Sequence, residues 1–203
     1  MKVIIYKDDR GIKDVKDISG VDDQNAFKVL NSYMVIADSA LTNTGKPFYL
    51  PEDLGKVSVS LGLAVRIIRL GKHISEKFAY RYYSVFAPVL HFKLPDYEKL
   101  LMESGLPTDA SRNFDKSIFI GEFEPLELSE SVELFVDQKK KITFSLQQLP
   151  YTVGQAISDI SILNTLKMGD IIVLGLSEEL NVKEGDFLEV RKGGEKLYHV
   201  KVK

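Results

Sequence analysis

The stretch VSVSLGLAV, residues 57–65, is where residue type and spacing first point to chemistry. Strand side chains alternate with a period of two, so Ser58 and Ser60 share a face with Gly62 and Ala64. Val57, Val59, Leu61, Leu63 and Val65 share the other face, which suits a core. The serine face is small enough to front a cavity or a closely approaching backbone. The same pattern also fits serines that face solvent or a neighbouring strand. Arg112 is a second candidate, since a guanidinium binds a carboxylate bidentately. A solvated loop arginine is the plainer account of it. Asp115 and Glu122 are nearby carboxylates, equally at home as turn formers or surface charges. Tyr80, Tyr82 and Tyr83 cluster without a basic patch, which favours core or interface packing over base stacking. The three histidines, His73, His91 and His199, are widely spaced and read as ordinary surface or strand residues rather than a multi-histidine metal site.

Composition narrows the chemistry further. The 203 residues include no cysteine, which excludes disulfides, thiolate catalysis and zinc–thiolate sites. A formal net charge of −2 supplies no bulk field for nucleic acid or an anionic membrane, so neither is expected as a partner. The densest basic run, QKKKI at 138–142, reads as a solvated turn. The start, MKVIIYKDDRG, has an apolar run too short for a signal peptide or a membrane span. A reducing, cytoplasmic location is the expectation. The chain carries no GxxxxGK, GxGxxG or GxSxG pattern.

The elements that must position these residues are mostly strands. MKVIIY and SYMVIADSAL read as strands, as do SIFIGEF, VELFVD, KKITFSL and DIIVLGL. The segment between the first two reads as a charged hairpin or connection followed by a short helix, QNAFKVLN. TNTGKPFYLPEDLGK reads as an ordered loop, then a long strand runs from Val57 to Leu70 and closes at Gly71. ISEKFAYRYY is expected to be a helix capped by Ser75, and YYSVFAPVLHF a strand. LPDYEKLLMESG reads as a helix stopped by Gly105, and the polar LPTDASRNFDK as a loop. The strongest helical pattern is 152–166, where Val153, Ala156, Ile157, Ile160 and Leu163 form one stripe. Gly193-Gly194 marks a closing hairpin. About ten strands and three helices make a β-rich α+β domain, with most strands antiparallel.

The ending carries a pattern more specific than any single motif. LKMGDIIVLGLSEELNVKEGDFLEVRKGGEKLYHVKV contains a helix end, a Gly-Asp turn, an apolar strand, a second Gly-Asp turn, another strand and a hairpin. This resembles the C-terminal part of the fumarylacetoacetate hydrolase family, with Gly169-Asp170, Gly175, Gly185-Asp186 and Gly193-Gly194 in the family's places. TGKPFYLP is similar to the family's KP-x-F loop, and RNFDKSIFIGEF to its K-x-FD-x-x-x-P-x-GP segment through Phe114, Asp115 and Gly121. The likeness covers roughly residues 32–203 of a single domain and leaves 1–31 unmatched. It implies a rolled mixed β-sheet with few helices, a central pocket and a homodimer.

The resemblance also implies a metal site, and this is where the chain departs from the pattern. Family members hold Mg²⁺ or Mn²⁺ on a Glu-x-Glu pair and an Asp, because hard cations need anionic oxygen ligands. Here the resemblance sets Glu-x-Glu onto Ser58-Val59-Ser60, the Asp near Val85, and the family's pocket lysine onto Arg112. The family's TGTP becomes Leu174-Gly175-Leu176-Ser177, and its His–Glu pair has no counterpart in ADSALTNTGKP. The implied pocket is lined by Ser58, Ser60, Val85, Arg112, Ser145 and Gly175, with no metal cofactor and a small carboxylic acid as ligand. The expected function is a binding or interaction module, or altered metal-free chemistry. The alternative is an active hydrolase, isomerase or decarboxylase of 2-oxo and 1,3-diketo acids, with the ion on other carboxylates.

Overall fold

The computed structural model describes residues 1–6, 33–125 and 130–203. The expected connection and helix between the first two strands lie outside the described residues. Two sheets dominate. The first has the order β2 (Tyr33–Ile36), β1 (Val3–Tyr6), β9 (Ile171–Leu176), β4 (Val57–Ile67), β5 (Tyr83–Lys93), β6 (Ile118–Ile120) and β3 (Leu41–Asn43). A short β10 (Leu180–Val182) pairs with β4 beyond the end of β9. The second sheet has the order β12 (Glu195–Lys201), β11 (Phe187–Lys192), β7 (Ser131–Val136) and β8 (Lys139–Ser145). Pairing is antiparallel except for β1 with β9 and β3 with β6, so the sheet is mixed as expected. The first residues of the chain, unmatched by the resemblance, supply β1 inside this sheet.

The long strand β4 explains the alternation read from its sequence. Its valine and leucine face joins Ile4, Tyr6, Phe92, Leu174, Leu188 and the apolar stripe of α2 (Val153–Leu163) in the larger core. Ala64, on the serine face, joins a smaller cluster with Val3, Ile5, Val89, Ile118 and Val173. Both faces are buried along nearly the whole strand. A central strand covered on both sides reads as a run of apolar and small residues, and any polar group on it must find a partner.

Local chemistry sets the helix ends. Thr152 caps α2 by accepting from the Gln155 N–H at 3.0 Å. α1 (Pro95–Glu103) starts on a proline, whose missing N–H costs nothing at a first helical position. Gly105 follows it at φ +67°, as a stop residue should. Three expectations need correction. The α2 helix ends at Leu163 rather than 166, because Leu166 exchanges two backbone hydrogen bonds with Gly71, at 2.8 and 2.9 Å. β4 ends at Ile67 rather than Leu70, where the chain bends away toward that same bridge. The segment Glu76–Arg81 is a 3₁₀ helix, and the Ser75 side chain makes no capping bond.

Candidate functional site

Ser58 and Ser60 are 1% and 0% exposed, so they do not face solvent. The β4–β5 register sets Ser58 opposite Lys93 and Ser60 opposite His91. Directly opposed residues of an antiparallel pair have Cβ atoms roughly 4.5–5.5 Å apart, on the same face. The small face of β4 is therefore half of a buried polar cluster whose other half is a lysine and a histidine, each 0% exposed. Glu179 reaches in from the segment joining β9 to β10. Its carboxylate accepts from Ser58 Oγ at 2.7 Å and lies 3.6 Å from Lys93 Nζ. A buried ammonium demands such a partner, since a charge taken out of water without one costs several kcal/mol, on the order of 3–5.

The cluster continues toward the loop before β6. His91 Nε2 donates to the Arg112 carbonyl at 2.8 Å, which places the hydrogen on that ring nitrogen. Ser117 Oγ donates weakly to the same carbonyl at 3.4 Å. The Arg112 guanidinium turns away and pairs with Glu98 of α1. Arg112 thus contributes its backbone to the polar cluster and its charge to the helix.

Farther along β4 the small face meets backbone rather than a cavity. A Cβ at Gly62 would collide with the Gly175 carbonyl oxygen. Gly175 itself sits at φ +130°, at an irregularity in the β4–β9 register. Immediately after it, Ser177 binds the β4 backbone twice: its N–H donates to Leu61 O at 2.7 Å and its Oγ accepts from Leu61 N–H at 2.9 Å. Glycines at both positions are the condition for this close approach.

The residues set together by the sequence reading are only partly brought together. Ser58 and Ser60 share the polar cluster, and Gly175 packs one pleat further on, against Gly62. Val85 lies six residues from His91 along β5, which is about 20 Å at the rise of a strand. It is not the cross-strand neighbour of either serine. Ser145 ends β8 in the second sheet, pairs with Ser131, and accepts from the Gln147 N–H at 3.3 Å. Asp115 and Glu122 are exposed. Tyr82 and Tyr83 pack on the larger core, Tyr80 is 62% exposed, and burial raises the Tyr83 phenol above its usual range.

Sequence reasoning missed Lys93 and Glu179 and undervalued His91. One signal was available: in VLHFKL, His91 and Lys93 alternate with Leu90, Phe92 and Leu94 on an otherwise apolar strand. Two polar residues on one face of a central strand must be buried together. Glu179 left no such trace, because only the path of the chain after β9 brings it over Ser58.

Among the described residues, no group of three or more His, Cys, Asp or Glu side chains stands together in a way that could hold a metal ion. Among them, too, no helix is long and apolar enough to cross a membrane. A cleft of about 420 Å³ lined by Leu176, Ser177 and Glu178 among others adjoins the segment that carries Glu179, and further clefts lie elsewhere. One, of about 390 Å³, is lined by Tyr83, Gln147, Leu149, Tyr151 and Thr152 among others; another, of about 680 Å³, by Lys46, Arg66 and Phe123 among others.

A rolled mixed sheet with two short helices, a Gly175 carbonyl pressed onto β4 and Gly-Asp turns ahead of β9 and β11 define a class of fold shared with known proteins. The family model for the C-terminal part of fumarylacetoacetate (FAA) hydrolase matches residues 5–198, and the chain belongs to that family. No curated protein matches the sequence. Among solved structures, a fumarylacetoacetate hydrolase family protein from Yersinia pestis CO92 is 21% identical, with a TM-score of 0.81 over 100% of this chain and 92% of that one. A fumarylpyruvate hydrolase from Pseudomonas aeruginosa, solved with Mn²⁺ and pyruvate, is 20% identical, with a TM-score of 0.79 over 100% and 89%. A 5-carboxymethyl-2-hydroxymuconate delta-isomerase from Mycobacterium smegmatis is 19% identical, with a TM-score of 0.78 over 99% and 78%. These likenesses establish the fold, and they span both hydrolases and isomerases.

Proposed function

We propose that this chain is a family member without metal-dependent C–C hydrolysis, acting as a metal-free binding module for a small carboxylic acid. In the family the ion chelates an oxo acid and stabilises the enolate that forms as the bond breaks. The observation that carries the reading is the pairing across β4 and β5. Ser58 and Ser60 face Lys93 and His91, and Glu179, a carboxylate brought to Ser58, already lies beside the Lys93 ammonium. One pleat further along, Gly62 faces Val89, which adds no ligand. Among the described residues, these two hydroxyls and an ion-paired carboxylate do not fit a divalent cation, which needs several anionic oxygens and repels a neighbouring ammonium.

The module is taken to be a homodimer, as the family resemblance implies. Exposed Leu70, Leu163 and Met168 support this, since the Gly71–Leu166 bridge brings their segments to one part of the surface.

Two measurements test the reading together. Calorimetric titration with Mg²⁺ and Mn²⁺ should give no saturable heat at millimolar concentration. Acylpyruvates and oxaloacetate should turn over at background, since losing the metal removes several kcal/mol of transition-state stabilisation, roughly a thousandfold or more in rate. A one-to-one micromolar ion site, with metal-dependent cleavage that survives repurification, would overturn it. That result would instead favour an active hydrolase, isomerase or decarboxylase using other carboxylates such as Asp115 or Glu122.

A further inference from the structure

Arg66 is the one exposed residue of β4; every other position of that strand is buried. The β4–β5 register shifts between Val65 and Ile67, so the ladder is irregular at Arg66, and such an irregularity re-aims a side chain. Its neighbour across β9 is Ile171. The guanidinium carbon lies over the Phe123 ring, 3.9 Å from the centroid. Stacking uses the flat face of a guanidinium and leaves its N–H edge for an anion. Arg66 and Lys46 line the same cleft of about 680 Å³. Among the described residues, neither cation makes a hydrogen bond or an ion pair. Leu41, Ile120, Phe123 and Ile171 give the cleft apolar walls. Glu122 lines it as well and pairs with neither cation.

The geometry points to a site in this cleft for a small monocarboxylic acid with an apolar body. The acid's carboxylate takes the N–H edge of Arg66, and the Lys46 ammonium supplies a second positive charge. The body rests on the apolar walls, the usual division of labour in a ligand cleft of this size. Glu122 decides the charge of the ligand: two cations and one carboxylate leave a surplus of one positive charge, and a second carboxylate on the ligand would be repelled. This deepens the metal-free binding role proposed above and rests on it. Arg66 lies eight residues from Ser58 along β4, which is about 26 Å at the rise of a strand, so the site is separate from the Lys93 cluster. No bond is made or broken on binding.

Benzoate is the probe, titrated by calorimetry at constant ionic strength. It should bind one site saturably, and the amide signals of Ile120 and Phe123 should shift with the same dissociation constant. Benzamide keeps the body without the charge and should not bind. Acetate keeps the charge without the body and should bind at least roughly tenfold more weakly. Arg66→Gln and Lys46→Gln should each weaken benzoate by roughly tenfold. Both positions are exposed, so the variants should melt with wild type. Lys99→Gln, on exposed α1, should leave the affinity unchanged. The absence of saturable benzoate binding, equal binding of benzamide, affinity unaltered in both Arg66→Gln and Lys46→Gln, or phthalate binding more tightly than benzoate overturns the proposal. Metal-dependent turnover would overturn the proposed function alone, because benzoate binding is read without any ion.

Discussion

Two charged clusters, one in each sheet, use the same residue types in opposite ways. In the first sheet, one ammonium, Lys93, is wholly buried and meets Glu179 through a strap. In the second, Glu189 on β11 sits between Arg191 at 2.6 Å and Lys196 at 2.9 Å, and both cations keep contact with solvent. Lys192 extends this surface set toward Glu124 and Glu130, each at 3.9 Å. The first cluster has desolvated its cation, so its balance depends on buried partners, Glu179 among them, staying in place. The second has several partners and water, so removing any one group leaves the others hydrated. The contrast separates a pair whose cation is buried from a set whose carboxylate is buried while its cations stay partly solvated.

The largest effect expected from breaking this contrast is at Glu179. Glu179→Gln keeps the shape of the strap but takes a carboxylate from beside a buried ammonium, a change of up to about 3–5 kcal/mol. Urea unfolding should show this as a lower midpoint with an unchanged slope. The reverse change should cost less. Lys93→Met keeps the apolar stem and leaves behind a carboxylate that is already 27% exposed and able to take up water. A loss of about 1–3 kcal/mol is expected in the same measurement. A larger loss for Lys93→Met than for Glu179→Gln would show that the ammonium, and not the carboxylate, is the group the fold can least spare.

The smallest effect is expected at Glu189. Lys196 and then Arg191 hold its carboxyl below the ordinary range. A carboxyl whose pKa is depressed on folding stabilises the protein above its unfolded value, about 4.3, and loses that contribution as pH falls through the folded value. Glu189→Gln should therefore lower stability by under ~1 kcal/mol at neutral pH. The gap to wild type should close below about pH 4. Melting curves of the pair from pH 7 to 3 check this. A gap that widens toward acid would mean that the ion pairs do not set the behaviour of Glu189.

These contrasts were unevenly legible in the residues. The alternation of β4 was readable at once, and it assigned Ser58 and Ser60 to the face opposite the main core. The α2 stripe, its Thr152 start and the Gly193-Gly194 hairpin were readable for the same reason: capping, periodicity and turn chemistry are local. Element ends were less readable, since the bridge between Gly71 and Leu166 ties together positions far apart in sequence and overrides local preference at both. The grouping of Val85 with the serines had no local basis, because register across an antiparallel pair depends on where the connecting segment lets the second strand begin. The turn from β4 into β5 sets Lys93 and His91, not Val85, opposite the serines.

By itself, then, the sequence determined a β-rich chain with the Gly-Asp pattern of its family, and a strand with one apolar and one small polar face. Those are consequences of residue type and short-range spacing. The tertiary structure alone decided what the small face meets. It placed a lysine and a histidine across the strand, brought Glu179 over them on a strap, and pressed the Gly175 carbonyl against Gly62. The physical reason is that a buried charge and a close backbone contact are each completed by groups distant in the chain. Only the folded path of β9 and β10 along one edge of β4 brings those groups within bonding distance.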